Sequence, residues 1–235
     1  MSIDQATRER KSMQLLDEFP WEIGATIIGG YSVLGYGTVR YSSDLDIVVP
    51  KDSSKDIIRW FAHKSFLVEK TAIPNPQNYD GGYVRYRKEE VTVDVLVGAV
   101  RDREAQVDIP EKWISRDQKM QKIVGLNAAT LIEVPLVRLE ALWALKLQAG
   151  RTQDISDLYS VFIRKFSHEE VVELFRELKC ETLTTKLEKT KRKLRNPGTY
   201  QDVRSSLQFK NSEKHQREWE RFNLTVESII NRSCR

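Results

Sequence analysis

The first 134 residues contain several short apolar runs of strand length. Runs at 25–28 and 45–49 lie on either side of a glycine-rich segment, and residues 82–87 and 91–97 resemble the two arms of a hairpin, with apolar residues at alternate positions of 91–97. The same criteria predict further strands at 66–73 and 129–134, and helices at 4–19 and from Asp52 onward. Together these patterns predict a mixed β-sheet with helices packed on it.

Beyond residue 135 the apolar spacing changes from two residues to three or four. A helix predicted over 136–149 carries one apolar stripe, formed by Leu139, Leu142, Trp143 and Leu147. Further helices are predicted to begin near Thr152, Ser167 and Ser212. We therefore expect an α+β fold, in which a mixed β-sheet flanked by helices (1–134) is followed by a mainly helical C-terminal lobe (135–235).

Composition fits a globular protein rather than a membrane or disulfide-rich one. Charged residues make up 31% and hydrophobic residues 40% of the 235 positions. No apolar run approaches the roughly 20 residues that span a bilayer, and the N-terminus lacks the apolar core of a signal peptide. Cys180 and Cys234 have no metal-ligand spacing and form no disulfide framework. We expect a cytoplasmic protein without a membrane partner.

Positive charge is concentrated near the C-terminus. From Lys179 onward there are 14 Lys and Arg against 7 Asp and Glu, which leaves 24 against 27 in residues 1–178. The densest basic run, at 186–195, most often indicates a solvated helix face. It can also follow a phosphate backbone, because basic clusters supply sequence-independent affinity for nucleic acid.

Two carboxylates open the strand after the glycine-rich segment. Asp44 and Asp46 occupy alternate positions, so their side chains project from the same face. They repel each other unless a cation lies between them, and Mg²⁺ prefers oxygen ligands. Gly29 and Gly30 allow the backbone to approach a phosphate closely. The pattern predicts a site for a nucleoside triphosphate and its metal, although acidic residues also open many ordinary surface strands.

A third carboxylate, Asp94, lies in the middle of the β-branched run 91–97. Burying a charge there is costly unless it is paired or binds metal. The alternative is an edge strand whose Asp94 face meets water, against which Leu96 on the same face argues mildly. The hairpin places Tyr83, Arg85 and Arg87 on one face, and the carboxylates are expected on adjacent strands of the sheet.

A polar corner follows at the junction of the two helices predicted around residue 150. Lys146 falls inside the apolar stripe, where it either extends its ammonium to the rim or reaches an anion. Asp154 and Asp157 complement the dipole of the second helix in the simpler interpretation. Salt bridges among these side chains would be structural, whereas side chains pointing into a cleft would be functional.

The order and spacing of these motifs resemble the DNA polymerase β-like nucleotidyltransferases. The matching elements are Ile28-Gly29-Gly30, a thirteen-residue spacer, Asp44-Leu45-Asp46-Ile47, and then Val93-Asp94-Val95. Two more detailed signatures resemble those of AbiEii-type nucleotidyltransferases, the toxins of some type IV toxin–antitoxin systems. They are Gly29-Gly30 with Arg40, Ser42, Asp44 and Asp46, and then Lys146, Arg151, Asp154 and Asp157.

The resemblance implies transfer of a nucleoside monophosphate from an NTP to an acceptor hydroxyl, with a two-metal Mg²⁺ site. By similarity, Asp44, Asp46 and Asp94 are the catalytic and metal-binding residues. The other implied nucleotide contacts, which hold or surround the triphosphate, are Gly29, Gly30, Ser32, Arg40, Ser42, Lys146, Asp154 and Asp157.

The basic C-terminal lobe favours RNA, including tRNA, as the acceptor, and the toxin resemblance implies an antitoxin protein as a partner. Two alternatives remain open. One is an enzyme of the same fold that modifies a small molecule, as antibiotic-modifying nucleotidyltransferases do. The other is a non-catalytic module that binds nucleotide or nucleic acid, which has no chemical need for three carboxylates.

Overall fold

The structure is a computed structural model, and it describes residues 5–37, 41–72, 81–125, 130–210 and 212–235. By its internal contacts the chain divides into two compact units, one formed by 1–101 with 108–138 and the other by 102–107 with 139–235. The division into domains at residue 134 stays a prediction.

The first unit is built on a seven-stranded sheet within the described residues. Its helices are α1 (Gln5–Asp17), α2 (Gly29–Gly35), α3 (Ser54–His63) and α4 (Glu111–Ser115). The sheet strands are β1 (Thr26–Ile28), β2 (Asp44–Val49), β3 (Leu67–Ala72), β4 (Gly82–Lys88), β5 (Val91–Val97), β8 (Lys119–Val124) and β9 (Leu131–Leu136), while β6 (Ala99–Asp102) and β7 (Val107–Pro110) form a separate two-stranded ribbon.

The strand order in the large sheet is β3-β4-β5-β2-β1-β9-β8. The β2–β5 and β1–β9 pairs are parallel, and the other pairs are antiparallel. The mixed sheet expected from the sequence is therefore confirmed, as is the β4–β5 hairpin. The parallel β2–β5 pair lies at the centre, where both neighbours of each strand are other strands.

Apolar side chains of α1 and α3 are buried against one face of the sheet. Met13 and Leu16 of α1 are fully buried, and so are Ile57 and Phe61 of α3. Phe61 stacks on Tyr86 of β4, with ring centroids 4.1 Å apart. This packing fixes the central strands, which carry the predicted carboxylates.

The second unit is helical, as the change of apolar period predicts. Its helices are α5 (Leu139–Ala149), α6 (Thr152–Val161), α7 (His168–Glu177), α8 (Glu181–Leu194), α9 (Pro197–Leu207) and α10 (Glu213–Ser233). Trp143 of α5 and Phe222 of α10 are buried in its aromatic core. Ser167 caps α7 by accepting a hydrogen bond from the Glu170 amide at 3.4 Å.

Among the described residues, every helix falls short of the combined length and apolarity that a membrane crossing demands.

Candidate active site

The parallel pairing of β2 with β5 brings two of the predicted carboxylates side by side. Asp46 pairs in register with Asp94, and Asp44 pairs with Thr92. Register partners on neighbouring strands point to the same face, and Asp44 shares that face because it lies two residues before Asp46. All three aspartates are only partly buried. The central strands thus present three carboxylates on one face of the sheet.

The glycine pair lies directly beside one of these carboxylates. Gly29 has φ +68°, a left-handed conformation that glycine adopts without strain. A Cβ at this position would lie 2.0 Å from Asp46 Oδ2, closer than any non-bonded contact allows. Instead of a simple turn, the pair begins α2, whose first turn is closed by Ser32 Oγ donating to the Gly29 carbonyl at 2.8 Å. Only glycine brings the backbone this close to Asp46.

Of the other predicted nucleotide contacts in the first unit, Ser42 is described and Arg40 is not. Ser42 Oγ donates to the Asp44 carbonyl at 3.1 Å, which fixes the backbone just before the first carboxylate. Arg40 lies outside the described residues.

Asp94 already has a cationic partner, which the sequence did not assign to the site. Arg85 on β4 donates from Nε to Asp94 Oδ1 at 2.6 Å and from Nη2 to Oδ2 at 2.7 Å. Tyr83 OH donates to the same Oδ1 at 3.0 Å. The hydrogen bond to Asp94 raises the pKa of the Arg85 guanidinium, while burial and then the Asp94 charge raise the pKa of Tyr83.

The signal for this contact was present in the sequence, because alternation puts Tyr83 and Arg85 on the same face of β4. What the sequence left undetermined was the hairpin register, which sets Arg85 directly opposite Asp94.

The three carboxylates fit a divalent cation in donor type and in placement on one face. Hard divalent cations take carboxylate oxygens, and the missing side chain at Gly29 lets Asp46 Oδ2 lie directly against the backbone of the glycine pair. As the side chains stand, no group of three His, Cys, Asp or Glu in the described part of the chain is arranged around a common ion position. The engagement of Asp94 with Arg85 and Tyr83 is one physical reason, because it directs that carboxylate toward β4.

The second group of predicted residues forms a buried ionic cluster between α5 and α6. Lys146 Nζ donates to Asp157 Oδ2 at 2.6 Å and to Asp154 Oδ1 at 3.1 Å. The side chains of Lys146, Asp154 and Asp157 are 8%, 1% and 1% exposed. The sequence left two interpretations open, salt bridging among these side chains or a cleft into which they point. The structure shows the salt bridges.

Arg151 completes this cluster from the start of α6. Its Nε donates to Asp154 Oδ2 at 2.7 Å, and its backbone amide donates to the same oxygen at 3.1 Å. Burial alone would raise the pKa of Asp154, but the hydrogen bond from Arg151 and the charge of Lys146 outweigh burial and lower that pKa. Asp154 is thus both an ion-pair partner and a cap of α6, because its Oδ2 accepts from the backbone amide of Arg151 at the start of the helix.

Most cations of the basic run have partners within the second unit. Lys186 pairs with Asp102, Lys189 with Glu104 at 3.1 Å, and Arg195 with Glu227 at 2.7 Å. Lys191 contacts Glu188, and Lys193 donates to the Gly150 carbonyl at 2.9 Å. The run therefore presents less uncompensated positive charge than its sequence suggests.

Three solved structures are similar to the chain at low sequence identity. A candidate nucleotidyltransferase from H. pylori is 15% identical with a TM-score of 0.43, covering 99% of this chain and 96% of that one. A candidate nucleotidyltransferase from Thermotoga maritima is also 15% identical with a TM-score of 0.43, covering 63% and 86%. A STING-associated c-di-GMP synthase from Capnocytophaga granulosa is 12% identical with a TM-score of 0.27, covering 97% and 81%.

No curated protein matches the sequence. With structural similarities this low, assignment to a family rests on the sequence. The family described as nucleotidyl transferase AbiEii toxin, type IV TA system, matches residues 14–229, which include both signatures and all but the ends of the chain. Membership implies an NTP substrate and an antitoxin partner. This chain is a nucleotidyltransferase and belongs to the AbiEii family of type IV toxin–antitoxin systems.

Proposed function

We propose that the enzyme transfers a nucleoside monophosphate from an NTP to a hydroxyl group of RNA, tRNA included, with Mg²⁺ as the metal. The observation that carries this proposal is the placement of Asp44, Asp46 and Asp94 on one face of adjacent strands, with Gly29 against Asp46. Family membership supplies the reaction class, and the carboxylates supply the ligand type that Mg²⁺ prefers.

In this reaction the acceptor oxygen forms a bond to the α-phosphorus, and the bond from that phosphorus to the pyrophosphate oxygen breaks. Pyrophosphate leaves with the bonding electrons, and the hydroxyl proton passes to a base. We assign this role to Asp94, which is the register partner of Asp46. Asp44, Asp46 and Asp94 would hold the metal, which neutralises charge on the triphosphate. Gly29, Gly30 and Ser32 would approach the terminal phosphates through their backbone.

Support for an RNA acceptor comes from charge. The 57 residues from Lys179 onward carry an excess of seven basic side chains, and such an excess attracts a polyanion. The predicted contacts of Arg40, Ser42, Lys146, Asp154 and Asp157 with the triphosphate remain proposals. For Lys146 such a contact requires that it leave or share its two buried carboxylates.

A second candidate function is favoured by the ion pairs of the basic run. Because Lys186, Lys189 and Arg195 are engaged by carboxylates of the same unit, a small hydroxylated acceptor would need none of them. The two candidates differ in their response to salt, since binding of an RNA polyanion weakens steeply with ionic strength.

The proposed transfer is tested by incubating the protein with Mg²⁺, total RNA and each α-³²P-labelled NTP in turn. We expect wild type to label RNA, and Asp46→Asn and Asp94→Asn to reduce labelling by about a hundredfold or more, as the loss of one electrostatic stabiliser does elsewhere. Asp56→Asn is the matched control, because Asp56 is an exposed carboxylate on α3.

Label that enters protein instead of RNA would show that the acceptor is a polypeptide. Absence of label in any macromolecule would reject the RNA proposal and favour the small-molecule candidate. Labelling that survives Asp46→Asn would contradict the assigned carboxylate site.

A further inference from the structure

The bidentate contact between Arg85 and Asp94 joins a guanidinium to the carboxylate that the proposed function uses as a metal ligand. Arg85 and Asp94 are register partners across the β4–β5 hairpin. Both oxygens of Asp94 accept from Arg85, at 2.6 and 2.7 Å, and the Tyr83 hydroxyl adds a third hydrogen bond at 3.0 Å.

These contacts use most of the accepting capacity of the carboxylate. An ionised carboxylate accepts about four hydrogen bonds, and Arg85 and Tyr83 together make three to Asp94. The side chain of Asp94 is 13% exposed and that of Arg85 is 35% exposed, so water screens this pair less than a surface pair. A guanidinium keeps its charge at any working pH, and it therefore repels a cation approaching Asp94.

We propose that Arg85 is a positioning residue that holds Asp94 in the metal-free enzyme and competes with the divalent cation for this carboxylate. The inference rests on the proposed function in one respect, namely that Asp94 is a metal ligand. Binding of the cation would then require Arg85 to withdraw from at least one oxygen of Asp94.

The competition has a consequence for the order of binding. A guanidinium released from Asp94 needs another anion, and the triphosphate is the anion that the proposed reaction brings. Binding of the metal and binding of the nucleotide are therefore positively coupled, because each ligand raises the affinity of the enzyme for the other. The free enzyme binds the cation weakly and forms its full metal site when the nucleotide arrives.

A purely structural salt bridge makes the opposite prediction. If Arg85 only stabilises the hairpin, its removal lowers stability and leaves cation affinity unchanged or reduced. Competition instead requires that removal of Arg85 tighten cation binding. The sign of the change separates the two roles, because damage to the fold does not improve a metal site.

The test is a titration of the nucleotide-free protein with Mn²⁺, following the free Mn²⁺ signal by electron paramagnetic resonance. We expect Arg85→Gln to bind Mn²⁺ about tenfold more tightly than wild type, the scale of one charge-assisted bidentate contact. Arg85→Lys keeps the positive charge but cannot make the bidentate contact, so its Mn²⁺ affinity should lie between those of wild type and Arg85→Gln.

The matched control is Arg87→Gln. Arg87 lies two residues further along the same face of β4 and pairs with Glu69 at 3.0 Å, so the change removes an arginine of the strand without touching the Asp94 pair. Its Mn²⁺ affinity should equal that of wild type. Tyr83→Phe is a second, milder variant that removes one hydrogen bond from Asp94. We expect it to tighten Mn²⁺ binding about twofold to threefold, which is the scale of one net hydrogen bond.

The outcomes distinguish this inference from the proposed function. If Asp94→Asn abolishes Mn²⁺ binding while neither Arg85→Gln nor Tyr83→Phe tightens it, Asp94 is a ligand and the competition is refuted. If Asp94→Asn binds Mn²⁺ as wild type does, or no variant binds it, both the ligand assignment and the competition fail. Thermal unfolding of each variant, followed by circular dichroism, identifies any affinity change that comes from a damaged fold.

Discussion

At the scale of single residues, the closest constraint in the site is the contact between Gly29 and Asp46. The backbone at position 29 is left-handed, and the space where a side chain would begin is filled by Oδ2 of Asp46. Two independent requirements, a positive φ and the absence of a Cβ, therefore meet at one residue. The Asp46 carboxylate therefore packs directly against the backbone of Gly29.

Gly29→Ala is expected to reduce nucleotidyl transfer strongly and to destabilise the protein. The left-handed conformation costs an alanine roughly 1–3 kcal/mol, and the collision with Asp46 displaces a proposed metal ligand. Gly24→Ala is the control, since Gly24 also has a positive φ of +81° but its Cβ would meet only Pro50, at 3.3 Å. Transfer assays and thermal melts of both variants would contradict this account if they lost activity equally.

Strand periodicity within β2 is enough to predict that Asp44 and Asp46 share a face. Asp94 stood out as a charge in an apolar strand, but its place on the same face depends on the parallel register of β2 and β5, and its assignment to the site came from the family resemblance. The role of Arg85 could not be predicted in the same way. It depends on the register between two strands, and a shift of one residue would turn Arg85 to the opposite face.

At the scale of elements, the junction of α5 and α6 is held by charges that are almost completely buried. A buried ammonium between two buried carboxylates is stable only as a set, because each charge compensates the desolvation of the others. Apolar periodicity predicted α5, since eleven residues cover three turns. It could not decide between the structural and functional interpretations of Lys146, because both place the lysine on the same stripe.

Lys146→Met is expected to destabilise the protein by roughly 3–5 kcal/mol, because it leaves Asp154 and Asp157 without their common cation. Chemical denaturation at pH 7 measures the change. Lys165→Met serves as the control, since Lys165 is exposed and its replacement should change the unfolding midpoint very little. A small effect of Lys146→Met would show that the cluster does not depend on the lysine.

The lowered pKa of Asp154 gives this cluster a defined pH dependence. Because the folded-state pKa lies below the unfolded value of about 3.9, the ionised carboxylate stabilises the fold at higher pH. That contribution is complete above the unfolded pKa and is lost as the pH falls through the folded pKa. Asp154→Asn should therefore be less stable than wild type at pH 7, with the difference narrowing below pH 4. Denaturation series at several pH values would contradict this if the difference stayed constant.

The segment from residue 100 to 125 has an apolar pattern too weak to predict its strands from sequence. It contains β6, β7, α4 and β8, which are four, four, five and six residues long. The two four-residue strands contain only two periods of alternation each, and α4 contains fewer than two turns, so the spacing has too few positions to be recognised. Their conformation is set by the tertiary contacts they make.

At the scale of the whole molecule, one short segment belongs to a different unit from the strands it joins. Residues 102–107 connect β6 to β7, yet their contacts place them with 139–235. Several interactions within the second unit hold the segment. They include the Asp102–Lys186 ion pair, the hydrogen bond from Thr182 to the Ala105 carbonyl, the weaker one from Gln148 to the Val107 carbonyl, and the exposed Glu104–Lys189 pair.

Lys186→Met is expected to loosen this segment in the full-length protein. Asp102 would keep its buried position without a cation, so local opening becomes easier and trypsin should cleave faster after the exposed Arg103. Cleavage after Arg59, in α3, gives the internal reference. Lys189→Met removes a neighbouring exposed pair and should leave the rate at Arg103 unchanged. Equal rates of cleavage after Arg103 in wild type and Lys186→Met would refute the claim that Lys186 holds this segment.

The contact between Gly29 and Asp46 also limits the order in which a decaying copy of this gene could accumulate substitutions. A copy that first lost the carboxylate at position 46 would gain room for a side chain at position 29, so its fold would survive the first change. A copy that first gained a side chain at position 29 would face the collision at once. Inactive descendants are therefore expected to lack Asp46 while they still keep Gly29, and the reverse combination is expected to be absent.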